Sequence, residues 1–455
     1  MLPPEFWLVN SLKLCFNQLQ MKRTLASETP KLVGSQALIQ GWVRLRRDHG
    51  KLIFLDIRDR SGLLQVVVSP KASEVAYGVA GTLRPEDAVE IEGEVKKRPE
   101  GTINKDLASG EVELEAKSLK VLSKAETLPF DMGGEELGLE LPTLLDHRSL
   151  TLRHPSVASI FKVQEAVVDS FREASRELDC TEIFVPAIAS GASEGGAEVF
   201  KLDYYGHKAF LTQSPQLYKQ MMVPVFERVY TISKAYRAEP SVTTRHLSEN
   251  TQMDCEFGFV EFDELLNLLE AVSVEMLKKT SGKVKLPNKP LIPVKVPRIS
   301  LEEAFKLLKK ESSPDLSPQD EIDLWEWAKK EHKSDLLIVH HFPTRKRAFY
   351  TMPDPKNPDF SLSYDVLFRG LEIASGSQRI NDHSQLVQMM KDRGLNPKNF
   401  GMYRMAFAYG MPPEGGFSFG LERITMKLMG LGNVREASLY PRDMERVDER
   451  LSNQR

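Results

Sequence analysis

Alternating apolar and polar positions run through Gln36–Arg46, Lys51–Asp59, Gly62–Val68, Asp87–Lys97 and Glu111–Leu122. Period two over short segments with turn residues between them predicts five strands, and a helical piece is expected at about 70–80. The pattern then changes. Ile160, Val163, Val167, Phe171, Ala174 and Leu178 recur at helical spacing and predict a long amphipathic helix. Short apolar runs at Ala209–Leu211, Arg228–Ile232 and Asp335–Phe342 predict buried strands, and residues 263–280, 300–310 and 421–429 predict helices. Ser300 with Glu303 forms a capping box, and Ser317-Pro318 opens a further helix. Ser214-Pro215 predicts a helix start with the serine as N-cap, which places Gln216 and Lys219 on one face of the first turns.

Five strands with a helix between the third and fourth predict an OB-fold barrel. The whole chain is expected to be α+β with an all-β domain. We divide it into an extension (1–30), the barrel (31–125), a hinge (126–155) and a second domain (156–455). With 455 residues, two or more cores are affordable. Lys plus Arg number 61 against 64 Asp plus Glu, which excludes a histone-like binder but not local basic patches. Cys15, Cys180 and Cys255 lie far apart without metal spacing, predicting a reducing, cytoplasmic setting. No apolar run is long enough for a membrane span. Residues 1–20 read as a short amphipathic extension or as sequence upstream of a start at Met21.

Three stretches carry chemistry. Tyr236-Arg237-Ala238-Glu239, a Pro/Ser/Thr loop and Arg245-His246 form a hairpin with a charged mouth, suited to holding a polyanion at several points. Gly415-Gly416-Phe417-Ser418-Phe419-Gly420-Leu421-Glu422-Arg423 reads as a Gly-rich strand entering a helix, with Arg423 near its start. Glu372-Ile373-Ala374-Ser375-Gly376-Ser377-Gln378-Arg379 follows Asp365; Glu372 and Ser375 offer hard oxygens to Mg²⁺, and Arg379 can fork onto a carboxylate. In the barrel, Arg44, Arg46, Arg47, Lys51, Arg58 and Arg60 interleave with Trp42 and Phe54, which suits single-stranded nucleic acid.

Together the RAE…RH hairpin and the GLER segment resemble motifs 2 and 3 of class II aminoacyl-tRNA synthetases, and GWVRLRRDHGKLIFLDIRDRSGLLQVVV resembles the anticodon-binding barrel of aspartyl-tRNA synthetases. The resemblance spans about 31–448 and implies an aspartate–tRNA ligase. It implies ATP contacts at Arg237, Glu239, Arg245, His246, Leu247, Glu372, Gly420, Leu421, Glu422 and Arg423. It implies aspartate contacts at Glu194, Gln216, Lys219, Arg237, Ser375 and Arg379, and Mg²⁺ on Glu372 and Ser375. Arg237, Arg423 and Glu372 take the catalytic roles. Phe54, Gln65, Asn104 and Glu113 would meet the anticodon of tRNA(Asp). His49 would come near its third base, where tRNA(Asp) and tRNA(Asn) differ, so tRNA(Asn) stays open as a second partner. Helix 160–178 with Glu182-Ile183-Phe184-Val185-Pro186 resembles motif 1 and implies a homodimer. The short distance between motifs 2 and 3 excludes the insertion of bacterial aspartyl enzymes. One departure is Asn250, which stands where many relatives place an adenine-stacking phenylalanine.

Lys219 and Arg379 favour an anionic substrate over an amide, which would leave Lys219 unpaired. The alternatives are an asparaginyl enzyme and a non-catalytic tRNA-binding paralogue. The lysine in QLYKQ argues against the first, and the retained arginines and Glu372 against the second.

Overall fold

The computed structural model describes residues 21–105, 107–191, 198–240 and 243–451. It forms two compact units, the first ending at Leu137 and the second beginning at Gly138.

In the first unit β1 (Gln36–Asp48), β2 (Ile53–Asp59), β3 (Gly62–Val68), β4 (Ala88–Lys97) and β5 (Val112–Ser123) close a barrel in the order β1-β2-β3-β5-β4-β1. The β3–β5 pairing is parallel and the others are antiparallel. Alternation explains the closure. Ile53, Leu55 and Ile57 point inward with Leu64, Val66, Val89, Ile91 and Leu114, and intervening polar residues point out. Helix α1 (Glu74–Thr82), capped by Ser73, packs its Ala76 and Ala80 into this core. This is the expected OB-fold.

The second unit is built on an eight-stranded sheet. Its strands are β6 (Thr181–Glu182), β7 (Arg228–Tyr236), β8 (Glu249–Gly258), β9 (Arg298–Ser300), β10 (Leu336–His340), β11 (Ser363–Phe368), β12 (Glu372–Gln378) and β13 (Glu414–Gly420). They lie in the order β9-β10-β11-β12-β13-β8-β7-β6, antiparallel except for the edge pairs β9/β10 and β6/β7. One face is apolar. Met253, Cys255, Phe257, Phe417 and Phe419 pack there against α2 (Pro155–Arg176) and α4 (Phe262–Lys283). Helix α2 contributes Val163, Val167, Phe171 and Ala174, as its spacing predicts. Helix α3 (Gln216–Met221) starts one residue later than expected: Pro215 holds the N-cap position, while Ser214 Oγ still accepts from Gln216 N at 3.2 Å. Serine-capped helices α5 (Leu301–Leu308) and α6 (Pro318–His332) are as predicted. Helix α7 (Leu421–Met429) continues directly from β13. Arg148, in the expected hinge, is buried and donates to the carbonyls of Glu436, Ser438 and Leu439, tying the chain's final segment down.

The centre of the sheet depends on the space that glycine leaves. A Cβ on Gly416 would sit 2.2 Å from both Cys255 O and Glu256 Oε2, and one on Gly376 would sit 2.4 Å from Gly416 O. Gly416→Ala is therefore expected to destabilise the protein by about 1–3 kcal/mol, read as a lowered melting temperature.

At the far side of the sheet His340 Nδ1 lies 2.6 Å from His341 Nδ1. Burial, with the charge of His341 adding, pushes the His340 pKa down to about 4 from 6.5. The folded state thus prefers neutral His340. Its contribution is complete above pH 6.5 and is lost as pH falls toward 4. Thermal melts between those values should show a total loss of up to about 3 kcal/mol that becomes smaller in His340→Asn.

Candidate active site

The other face of the sheet is polar because the same strands alternate. On β8, Gln252, Asp254 and Glu256 face away from the core, opposite Met253, Cys255 and Phe257. On β13, Ser418 and Gly420 line the open face. Two adjoining sites result.

The first is a cavity of about 230 Å³ between the β7–β8 hairpin, β12 and the start of α7. Arg237, Glu239, Arg245, His246, Leu247, Glu372, Ser375, Gly420, Glu422 and Arg423 line it, as the sequence leads one to expect, together with Asn250 and Gln252. Leu421 packs into the main core instead. Glu422 holds the hairpin to α7, its two oxygens accepting from Thr251 N at 3.1 and 3.0 Å. The arginines differ in state. Arg423 pairs with Glu372 at 3.0 Å, Arg245 pairs with Glu321, and Arg237 has no ion pair among the described residues. His246 Nδ1 contacts Thr243 Oγ1 at 2.6 Å, and burial together with the Arg423 charge lowers its pKa. Both effects disfavour the charged imidazolium.

Carboxylates converge behind the arginines. Asp365 and Ser375 are register partners on β11 and β12. Arg347 bridges them, 2.8 Å from Asp365 Oδ2 and 3.3 Å from Ser375 Oγ. Burial raises the Asp365 pKa against the pull of Arg347, and Asp365 Oδ1 is buried without a hydrogen-bond partner. At Glu372 burial favours the neutral acid, but Arg423 and Arg347 outweigh it and hold the carboxyl below its usual range. Burial pushes Glu321 up to about 7 against the charge of Arg245. Glu321 and Arg347 escaped the sequence reading because only the folded chain brings them here.

The second site lies beneath α3. Gln216, Lys219 and Arg379 are buried together, with Lys219 only 1% exposed. They are not free. Lys219 Nζ lies 2.9 Å from Asp254 and 3.0 Å from Glu256, while Arg379 Nε donates to Glu256 at 2.8 Å. Arg379 also donates to Ser377 Oγ, Gln216 Oε1 and Gly416 O. Burial would lower the Lys219 pKa, but Asp254 and Glu256 raise it above its ordinary value. Contrary to the expectation from the sequence, an amide substrate would not leave Lys219 unpaired, since two carboxylates already pair with it. Glu194 lies outside the described residues.

On the barrel, Phe54, Gln65 and Glu113 lie on its outer face. Gln65 Nε2 donates to Glu113 at 3.0 Å, and His49 meets Phe54 edge-on with ring centroids 5.5 Å apart. Asn104 is exposed in the loop before β5.

Comparison with known proteins matches residues 140–444 to the family described as tRNA synthetases class II (D, K and N), and residues 37–122 to the OB-fold nucleic acid binding domain. An aspartate–tRNA(Asp/Asn) ligase of Thermus thermophilus is 40% identical over 93% of this chain and 99% of its own. An aspartate–tRNA(Asp) ligase of Pyrococcus horikoshii is 36% identical over 92% and 97%. Among solved structures, asparaginyl-tRNA synthetase from Pyrococcus horikoshii with asparaginyl-adenylate superposes with a TM-score of 0.85 at 30% identity, covering 94% of this chain and all of that one. A putative aspartyl-tRNA synthetase from Leishmania major gives 0.84 at 29%, covering 95% and 96%. With both halves matched and the motif residues gathered on one sheet face, this chain belongs to the class II tRNA synthetases of the D, K and N group.

Proposed function

We propose that the chain is an aspartate–tRNA ligase, which activates L-aspartate with ATP and transfers it to the 3′ end of tRNA(Asp). The observation that carries this is the cavity on the polar sheet face rimmed by Arg237, Arg245 and Arg423, beside the buried set of Lys219, Arg379, Asp254 and Glu256. The relatives named aspartate–tRNA ligases support aspartate over asparagine, whereas the fold is shared by both kinds of enzyme.

The first step needs no protein nucleophile. An oxygen of the aspartate α-carboxylate bonds to the α-phosphorus of ATP, the bond to the bridging oxygen breaks, and pyrophosphate leaves. Catalysis is positioning and charge neutralisation. Arg237, which has no ion pair among the described residues, holds the α-phosphate and substrate carboxylate. Arg245 and Arg423, kept extended by Glu321 and Glu372, hold the outer phosphates, with His246 as a hydrogen-bonding partner. Glu239 meets the adenine amino group. The second step is attack by the terminal ribose hydroxyl on the activated carbonyl, with AMP leaving.

The oxygen set fits Mg²⁺. Glu372 and Ser375 would hold it, and the unsatisfied Asp365 Oδ1 stands beside them. Among the described residues no three carboxylates, histidines or cysteines form a complete cage. That agrees with an ion that keeps waters and phosphate oxygens as ligands. When bound it neutralises phosphate charge.

A second reading extends the substrate to tRNA(Asn). It is supported by His49 lying against Phe54 on the barrel face, and by relatives named for both tRNAs. In keeping with the family, we propose a homodimer built on α2. Among the described residues no helix is long and apolar enough to cross a membrane.

Two measurements check this. Aspartate, but not asparagine, is expected to support ATP–pyrophosphate exchange, and Arg237→Ala should lower its kcat/KM about 10²–10³-fold. Exchange driven by asparagine alone would overturn the aspartate assignment. Charging tRNA(Asp) and tRNA(Asn) transcripts separately then decides between one tRNA and two.

A further inference from the structure

Beneath the amino-acid site, at the first residue of β13, Glu414 is completely buried. Its Oε1 accepts from Gln220 Nε2 at 2.7 Å, and Gln220 Oε1 in turn accepts from the Tyr403 hydroxyl at 2.9 Å. Its Oε2 has no donor to accept from among the described residues. Glu414 and Glu256 are diagonal neighbours on the paired strands β13 and β8, on the same buried face, and neither carboxyl reaches solvent.

Two neighbouring carboxyl groups in a dry interior do not both ionise, so the pair holds one proton. Its owner follows from the surroundings. Glu256 accepts from Lys219, Arg379 and Gln216, so cations favour its ionised form. Glu414 has no ion pair at all among the described residues, and its only side-chain donor besides the shared proton is a neutral amide. The unmatched Oε2 is explained at once if it is an O–H, a donor aimed at Glu256. The charges agree. Burial, then the Glu256 charge, drives the Glu414 pKa well above the carboxylate range, while Arg379 and Lys219 hold Glu256 at about 2 despite its burial.

We infer that Glu414 is a specificity-determining positioning residue, a neutral carboxylic acid that donates to Glu256 and so keeps the pocket able to accept an anionic side chain. With Glu414 neutral, Lys219 and Arg379 balance Asp254 and Glu256. With Glu414 ionised the set would carry an excess negative charge and repel aspartate. The donated proton also occupies a Glu256 lone pair, which loosens that carboxylate's hold on Arg379 and leaves the guanidinium available to the substrate. This inference rests on the aspartate reading above.

The test uses the full-length enzyme with Glu414→Gln, which keeps shape and a donor, and Glu414→Met, which keeps bulk and cannot donate. The infrared difference between wild type and Glu414→Gln should contain the C=O stretch of a protonated carboxylic acid. Glu414→Gln should keep the aspartate KM in pyrophosphate exchange within about threefold, while Glu414→Met should raise it about tenfold or more with kcat little changed. A missing acid band, an unchanged KM in Glu414→Met, or equal losses in both variants would overturn the role of Glu414. A wild-type enzyme that shows the acid band but does not activate aspartate would instead bring down the functional reading, and the specificity role with it.

Discussion

The catalytic half depends on a buried ionic set in the middle of a sheet. Lys219 and Arg379 face Asp254 and Glu256 with almost no solvent. Removing four charges from water costs several kcal/mol for each ion, and their attraction offsets this only when every lone pair and proton has a partner. That condition is close to met here. Arg379 reaches Glu256, Ser377, Gln216 and Gly416, and Lys219 reaches Asp254, Glu256 and the Phe417 carbonyl. Such a set also fixes geometry. Helix α3, β8, β12 and β13 must keep their register for the network to close, so substrate specificity and the packing of the sheet centre are one problem.

The sheet solves it by alternation. Each central strand gives every second residue to the apolar layer under α2 and α4 and the rest to the polar face. Phe417 and Phe419 anchor β13 from below, while Gly416 lets Glu256 and the strand backbones approach closely from above. A site assembled on adjacent strands varies less in position than one assembled on loops, and positioning is the main contribution this reaction needs from a protein. The loop residues supply the adaptable part: Arg237 at the end of the hairpin has no ion pair among the described residues.

Much of this was legible in the sequence. The barrel strands were placed to within about two residues by alternation alone. Residues 421–429 were read as the helix that the structure contains. The residues lining the first cavity lie in the hairpin and Gly-rich segments that the sequence singles out, and the structure gathers them around it. The losses have physical causes. The N-cap of α3 falls at Pro215, one residue after the serine, although Ser214 Oγ still accepts from Gln216 N. Arg347 and Glu321 carry no local signal, being brought in from a 3₁₀ flank and from α6. Asp254 and Glu256 were visible and went unread. Polar residues at every second position in TQMDCEF, on a strand otherwise apolar, mark a face turned toward a site. Reading the cations without these carboxylates made Lys219 look unpaired.

That omission bears on how one fold serves two amino acids. Aspartyl and asparaginyl enzymes both superpose on this chain, at TM-scores of 0.84 and 0.85, so the scaffold does not separate their substrates. The side chains differ by one charge and by an oxygen in place of an NH₂ group. Counting cations cannot separate them either, because each cation here has its own counter-charge. What remains is the net charge of the closed set and the direction in which its hydrogen bonds point. In a low-dielectric pocket both are decided by single protons, since one excess charge weighs far more there than in water. Specificity in this enzyme is therefore carried by protonation states in and behind the pocket as much as by the residues that touch the substrate.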